Sequence, residues 1–337
     1  MAGDTTSGRA LVISFVVIAY NEQHHVCRCL EAIEAQDGLE KHEIIVVDDG
    51  STDATGEIVR DMQLRNNSLR LIEQANQGRG AARAAGVKAA GGDLIAMVDA
   101  DIRLPPTWLA TCLSNIEEYD VVGGTAVPDG DVAYLYNAFR LIATAAPATT
   151  TITGNNGLYR RQIFDHVMFG EHLREGEDVD INHKLLACGY RLACLPGLQV
   201  EHREDKSLGR SVTWLYQSGR GATRQFFHYR QVRLPDIAFG GAIAVATASW
   251  LVRSRCPWTA RLLLPTYLLA TSERHVHARF VASGPGNYRS RYIGAVAINA
   301  VLIAAYFAGR AVGVVDPFLS VGRRNERLAE SVPRGSM

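Results

Sequence analysis

Apolar runs alternate with helically spaced segments along the first part of the chain. Four short apolar runs stand out: LVISFVVIAY (11–20), HEIIVVDDGS (42–51), LRLIEQ (69–74) and DLIAMVDAD (93–101). The first two are continuous and rich in β-branched residues, as strands buried on both faces should be. Between the runs lie three segments with helical spacing: HHVCRCLEAIEAQ (24–36), DATGEIVRDM (53–62) and GRGAARAAGVKAA (78–90). This alternation predicts a parallel α/β sheet with helices on both faces.

Polar clusters follow three of the predicted strands, at 20–22, 48–51 and 99–101. In a parallel α/β sheet, ligands bind beyond the carboxyl ends of the strands, so we expect the clusters to meet in one crevice. Asp99 and Asp101 repel each other unless a cation lies between them. Mg²⁺ or Mn²⁺ suits carboxylates and completes its shell with phosphate oxygens. The alternative is a pair of solvated aspartates that cap a helix predicted near 105–113.

Composition limits the class of protein. The 337 residues, 47% of them hydrophobic, suffice for one large domain and a smaller appendage. The 35 basic and 35 acidic residues balance, which argues against a general nucleic-acid binder. No secretory signal precedes the six cysteines, so free thiols are expected. Residues 24–29 hold two histidines and two cysteines without the paired spacing of a zinc site, and predict a helix start with buried cysteines.

The regular alternation of apolar and helically spaced segments ends after about the first 130 residues. A mixed region extends to about residue 233, and its segment 205–233 combines aromatic and arginine residues in a pattern typical of an interfacial helix. The spans 237–252 and 292–309 contain no charged residue, but both are shorter than the roughly 20 residues of a membrane-spanning helix. These two spans are compatible with a membrane-associated region, a shallow membrane hairpin or a soluble helical bundle. The segment 331–337 is expected to be a flexible tail.

Seven motifs, in order, resemble the inverting glycosyltransferases of family 2, which have the GT-A fold. They are VVIAYNE (16–22), IIVVDDGSTDAT (44–55), NQGRGAARAAG (76–86), MVDAD (97–101), TGNNGLYRR (153–161), GEDVD (176–180) and QSGRG (217–221). The resemblance implies an α/β fold with a mostly parallel central sheet, flanking helices and a C-terminal apolar helical region. We expect a flexible N-terminus at 1–10, a GT-A domain at 11–233, an apolar region at 234–315 and a flexible tail at 316–337. The GT-A domain would comprise a nucleotide-binding half at 11–130 and an acceptor half at 131–233.

The resemblance also implies roles for individual residues. Asp178, with Glu177 before it, would be the catalytic base, and Asp101 would bind Mg²⁺ or Mn²⁺. The nucleotide-binding residues would be Ala19, Tyr20, Glu22, Asp49, Arg79, Arg83 and Asp99. The diphosphate or the acceptor would contact Asn155, Asn156, Gln217, Arg220 and Arg224. Two alternatives remain open: Glu177 and Asp178 suit a helix N-terminus, and the two arginines of segment 78–90 suit helix packing.

Two differences from known motifs narrow the expected activity. Processive synthases carry Gln-x-x-Arg-Trp, whereas Gly221 stands in the tryptophan position here. The sequence is therefore closer to enzymes that add a single sugar, such as the succinoglycan-type transferases of exopolysaccharide assembly. A dinucleotide-binding site is not expected, because Arg83 occupies the third glycine position of the Gly-x-Gly-x-x-Gly pattern.

The expected function is a metal-dependent inverting transfer of one sugar from a nucleotide-sugar, with a UDP-sugar favoured, to an acceptor hydroxyl. A lipid-linked glycan is the favoured acceptor, at the cytoplasmic face of the cell membrane, with no nucleic acid involved. The alternatives are a small-molecule or peptide acceptor, and a non-catalytic scaffold that binds nucleotide-sugars.

Overall fold

The structure is a computed structural model that describes residues 11–129, 146–149, 151–203, 207–230, 232, 234–252, 257–282 and 289–315. The described residues fall into two compact units, one ending at Arg203 and the other beginning at Ser207. The division thus falls earlier along the chain than the predicted change at 233, and the predicted domain bounds stay a prediction. The predicted flexible segments 1–10 and 316–337 lie outside the described residues.

The first unit is built on a nine-stranded sheet. Its strands are β1 (Val12–Ala19), β2 (Lys41–Asp48), β3 (Leu69–Glu73), β4 (Leu94–Asp99), β5 (Ile102–Arg103), β6 (Val121–Asp129), β7 (Ala146–Thr149), β8 (Asn156–Arg160) and β9 (Leu192–Arg203). The strand order is β3-β2-β1-β4-β8-β6-β9-β5, with β7 paired to β9. β1 to β4 are parallel as predicted, whereas β8 runs antiparallel to both β4 and β6.

Helices cover both faces of this sheet, as the sequence predicts. They are α1 (Val26–Glu34), α2 (Thr55–Gln63), α3 (Arg79–Ala89), α4 (Trp108–Leu113) and α5 (Glu177–Ala187), with a 3₁₀ turn at Arg161–Asp165. Because side chains alternate along a strand, β1 contributes Phe15 and Val17 to one core and Val16 and Ile18 to the other. α1, α2 and α4 pack on the first core, and α3 and α5 on the second.

The strand register brings the predicted polar clusters together. Ala19 of β1 pairs with Asp48 of β2, and Ile18 pairs with Asp99 of β4. The three strands therefore end side by side, and the segments that follow them share one edge of the sheet. This confirms the arrangement expected of a parallel α/β sheet.

The second unit is helical. It contains α6 (Leu208–Tyr229), α7 (Leu234–Val252), α8 (Pro257–Ala282) and α9 (Arg289–Val315). α6 and α9 approach closely at glycines: a Cβ at Gly309 would lie 1.8 Å from the carbonyl oxygen of Tyr216. The buried Arg310 of α9 pairs with Asp236 of α7 and donates to the Tyr306 hydroxyl at 3.1 Å. Within the described residues, Tyr292–Val314 alone is long and apolar enough to span a membrane, by length and composition, and Asp236–Leu251 is shorter.

Candidate active site

Two loops at the sheet edge are joined by side-chain-to-backbone hydrogen bonds. The backbone N–H of Asn21 donates to Ser51 Oγ at 2.9 Å, and the N–H of Thr52 donates to Asn21 Oδ1 at 2.8 Å. The N–H of Glu22 donates to Thr55 Oγ1 at 2.8 Å. Asn21 adopts a left-handed backbone (φ 58°), which turns the chain immediately after Tyr20. Tyr20 is 49% exposed and presents a flat aromatic surface on which a base can stack.

Asp49, one of the predicted nucleotide-binding residues, organises the segment that leads into α3. Its Oδ1 accepts from Gln74 Nε2 at 2.7 Å and from the N–H of Gln77 at 2.9 Å, and its Oδ2 accepts from the N–H of Gly78 at 2.8 Å. A carboxylate offers about four acceptor positions, so Oδ2 retains capacity for one further N–H donor. Gly78 (φ 97°) is required here, because a Cβ would lie 2.6 Å from the Cα of Arg174.

Arg83 lies at the centre of a buried ion-pair network. Its side chain is 1% exposed; Nη2 donates to Asp99 Oδ1 at 2.7 Å, and Nε donates to Glu177 Oε1 at 3.3 Å. Arg79, one turn earlier on α3, is 40% exposed and lies 3.9 Å from the same Glu177 oxygen. Arg83 therefore joins the end of β4 to the start of α5, and Arg79 remains accessible to a ligand.

The start of α5 places two acidic residues in different environments. Burial alone would raise the pKa of Glu177, but the Arg79 and Arg83 guanidiniums outweigh it and hold that pKa below its ordinary value. Burial and repulsion from Glu177 raise the pKa of Asp178 above its ordinary value. The Glu177 side chain is only 3% exposed, and its predicted catalytic role stays a prediction. Asp178 is the carboxylate of the pair that suits proton abstraction.

The residues of the TGNNG motif make mainly structural contacts: a glycine leaves space for a neighbouring side chain, and an asparagine forms a buried hydrogen bond. A Cβ at Gly154 would lie 3.1 Å from the Arg83 guanidinium, so the glycine makes room for that group. Asn156 is fully buried, and its Oδ1 accepts a hydrogen bond from Trp108 Nε1 at 2.6 Å. This burial argues against the predicted ligand contact for Asn156 and gives it a structural role. Asn155 is partly buried, and its ligand contact stays a prediction.

Asp101 has a partner that sequence reasoning missed. His202 Nε2 lies 3.0 Å from Asp101 Oδ2, and both side chains are largely buried, at 4% and 12% exposure. The contact arises because β5 and β9 are antiparallel, with Ile102 opposite His202. The Asp101 carboxylate suits Mn²⁺ or Mg²⁺ when phosphate and water complete the shell, whereas the His202 imidazole suits a transition metal such as Mn²⁺ better than Mg²⁺. The two residues fit a divalent cation in that setting, although the described residues hold no cluster of three or more protein ligands.

Three predicted ligand-contacting residues lie on α6, in the second unit. Gln217 is exposed, while Arg220 and Arg224 are partly buried and follow at helical spacing. Gly219, within the same QSGRG motif, allows the close approach of α9, since a Cβ there would lie 2.1 Å from the carbonyl oxygen of Tyr306. A packing role thus accounts for part of the motif, and the ligand contacts of Gln217, Arg220 and Arg224 stay predictions.

Comparison with known proteins identifies the class. Residues 14–168 match the model of glycosyl transferase family 2, and this segment is a domain of that family. The fold is of the GT-A type, as expected. A mannosyltransferase from Pyrobaculum calidifontis, solved with GDP-Man and Mn²⁺, shares it with a TM-score of 0.55 at 21% identity, over 87% of this chain and 85% of that one.

Two curated relatives are similar in sequence. The succinoglycan biosynthesis protein ExoO of Rhizobium meliloti is 34% identical over 59% of this chain and 62% of its own length. An undecaprenyl-phosphate 4-deoxy-4-formamido-L-arabinose transferase of Proteus mirabilis is 32% identical over 46% of this chain and 51% of its own. The chain therefore spans less than two thirds of either relative.

Proposed function

We propose that this protein is a metal-dependent inverting glycosyltransferase that moves one sugar from a nucleotide-sugar, with a UDP-sugar favoured, to an acceptor hydroxyl. One observation carries the proposal: Asp49, Asp99 and Asp101 lie at adjacent strand ends, and the Arg83 network joins that edge to the first turn of α5, which contains Asp178. The proposed donor-binding edge and the candidate base are thus linked by buried ion pairs within a family 2 domain.

The roles follow from the chemistry of each group. Tyr20 stacks on the base, and Asp49 accepts one N–H from it. Asp101 and His202 would hold the divalent cation, which, when bound, would neutralise charge on the departing diphosphate. Asp178 takes the proton from the acceptor hydroxyl, and attack opposite the leaving group inverts the anomeric configuration. The raised pKa of Asp178 favours this step, because a more basic carboxylate accepts the proton more readily.

The acceptor is proposed to be a lipid-linked glycan at the cytoplasmic face of the cell membrane. The undecaprenyl-phosphate transferase relative and the apolar helix Tyr292–Val314 support this proposal. The role of ExoO in succinoglycan biosynthesis supports a polysaccharide pathway. A small-molecule or peptide acceptor is the alternative, and acceptor screening with a radiolabelled sugar donor separates the two.

Nucleotide binding is the experiment to make first. UDP, GDP and CDP are titrated calorimetrically into wild type and Asp101→Ala, each with Mn²⁺ and with a chelator. We expect one nucleotide, UDP, to bind in a metal-dependent manner and to lose that dependence in Asp101→Ala. Failure of folded wild type to bind any of the three would overturn the proposal.

Transfer itself distinguishes an enzyme from a non-catalytic nucleotide-sugar binder. Asp178→Asn should keep nucleotide affinity and lose sugar transfer, and NMR of the product of wild type should show inversion at the anomeric carbon. Nucleotide binding with neither transfer to any tested acceptor nor slow hydrolysis of the donor would favour the non-catalytic scaffold.

A further inference from the structure

Gln74 places a side-chain amide beside Asp49, at the edge of the sheet where the base of the nucleotide is proposed to bind. It follows directly after β3, is partly buried, and its backbone N–H donates to the carbonyl oxygen of Asp48 at 3.0 Å. Gly50 lets this segment approach, because a Cβ there would lie 2.8 Å from the backbone nitrogen of Asn76. The backbone around Gln74 therefore lies close against the loop that carries Asp49.

The two oxygens of the Asp49 carboxylate differ in the number of hydrogen bonds that they already accept. Oδ1 accepts two, from Gln74 Nε2 at 2.7 Å and from the N–H of Gln77 at 2.9 Å. Oδ2 accepts one, from the N–H of Gly78 at 2.8 Å. Each carboxylate oxygen offers two lone pairs. Oδ1 is therefore fully occupied, and Asp49 can accept one further N–H, at Oδ2.

Uracil and guanine present different numbers of N–H donors to a carboxylate. Uracil has one ring N–H, at N3, which a single oxygen satisfies. Guanine presents N1–H and an N–H of its 2-amino group side by side, and a carboxylate satisfies both only when each of its oxygens accepts one. With Oδ1 occupied, the guanine amino group would lack an acceptor or would have to displace the Gln74 amide. Either outcome weakens binding of guanine.

We propose that Gln74 is a specificity-determining residue, which restricts Asp49 to a single base N–H and so selects uracil over guanine. The inference rests on the proposed function and deepens it, because it assigns the choice of donor nucleotide to one side chain. Of the three donors to Asp49, Gln74 alone is a side chain, so it is the one that a substitution can remove. A hydrogen bond to a charged group of this kind changes an equilibrium constant roughly tenfold to hundredfold.

The test compares GDP with IDP, whose hypoxanthine base keeps the purine rings and the N1–H of guanine but lacks the 2-amino group. Both nucleotides, and UDP, are titrated calorimetrically into the full chain in the presence of Mn²⁺. Because the two purines have nearly the same size, the ratio of their affinities reports the amino group. Wild type should bind UDP, and it should bind IDP roughly tenfold more tightly than GDP.

Two substitutions of glutamine by methionine form a matched pair. Gln74→Met removes the amide but keeps much of the side-chain length, so that Oδ1 can accept from the guanine amino group. GDP should then gain roughly tenfold in affinity relative to IDP, while UDP affinity stays near that of wild type. Gln77→Met is the control, because Gln77 reaches Asp49 through its backbone N–H and its side chain is exposed. Gln74→Ala is the second variant, should Gln74→Met fail to fold.

Several results would overturn the inference and leave the transferase function in place. Wild type that binds GDP at least as tightly as IDP would show that the amino group finds an acceptor. Binding of UDP with no binding of either purine would make ring size the selecting factor. An unchanged ratio of GDP to IDP affinity in the folded Gln74 variants, or loss of their UDP binding, would also refute the role of Gln74. Failure of folded wild type to bind any of the three nucleotides would instead overturn the proposed function, and the inference with it.

Discussion

Removal of the Arg83 charge should destabilise the first unit more than removal of any exposed arginine. Arg83→Met keeps much of the side-chain volume but leaves Asp99 and Glu177 without their shared partner, 2.7 Å and 3.3 Å away in the wild type. Arg83 and Glu177 are only 1% and 3% exposed, so water cannot replace the lost contacts. Breaking a buried pair on one side costs about 3–5 kcal/mol of unfolding free energy.

The matched control is Arg60→Met. Arg60 pairs with Glu73 at 2.5 Å, but both side chains are about half exposed, at 52% and 53%. Exposed pairs contribute at most about 1 kcal/mol. The double variant Arg83→Met/Glu177→Gln should recover part of the loss, because it removes one of the two stranded charges.

The assay is hydrogen–deuterium exchange of peptides from α3 and α5, with urea unfolding as the global measure, since two compact units need not unfold together.

The pH dependence of this stabilisation has a definite sign. The pKa of Glu177 is lowered in the folded state. Its pairing therefore stabilises the protein at pH values above 4.5, the ordinary pKa of a Glu side chain, and this stabilisation is lost as the pH falls through the folded-state pKa. The difference between wild type and Arg83→Met should therefore shrink in acid. A cost below about 1 kcal/mol at neutral pH would refute the buried network.

Three further predictions concern catalysis and packing. Asp178→Asn should lower kcat by about 10²–10⁴-fold with unchanged UDP affinity; an unchanged kcat would exclude it as the base. In a pH–rate profile, the acid limb should lie above the ordinary Asp value of 3.8 and move to lower pH in Glu177→Gln, because part of the Asp178 pKa elevation comes from that charge; a limb that stays in place would contradict the coupling. Trp108→Phe should lower the free energy of unfolding by about 1–3 kcal/mol, because it leaves the buried Asn156 Oδ1 without its hydrogen-bond donor. A urea-unfolding curve identical to that of wild type would contradict this prediction and show that water replaces the donor.

The sequence determined the parallel part of the sheet and the edge at which its polar clusters lie. Continuous apolar runs rich in β-branched residues, such as those of β1 and β2, indicate strands covered on both faces, and the intervening helical segments favour parallel pairing. The position of Asp49, Asp99 and Asp101 after those strands follows directly from this topology. The nature of Asp178 as an acidic residue in the first turn of a helix also followed from local sequence, because helix N-termini favour acids.

Contacts between distant segments were decided only by the tertiary structure. Asp101 meets His202 across 101 residues of chain because β5 pairs with β9, and no local spacing records that pairing. The opposite pKa shifts of Glu177 and Asp178 likewise depend on Arg83 reaching Glu177 from α3. The same holds for Asn156, which the motif suggested as a ligand contact and which Trp108 holds in the core. Local patterns fix which elements form, whereas burial and charge pairing depend on which elements meet.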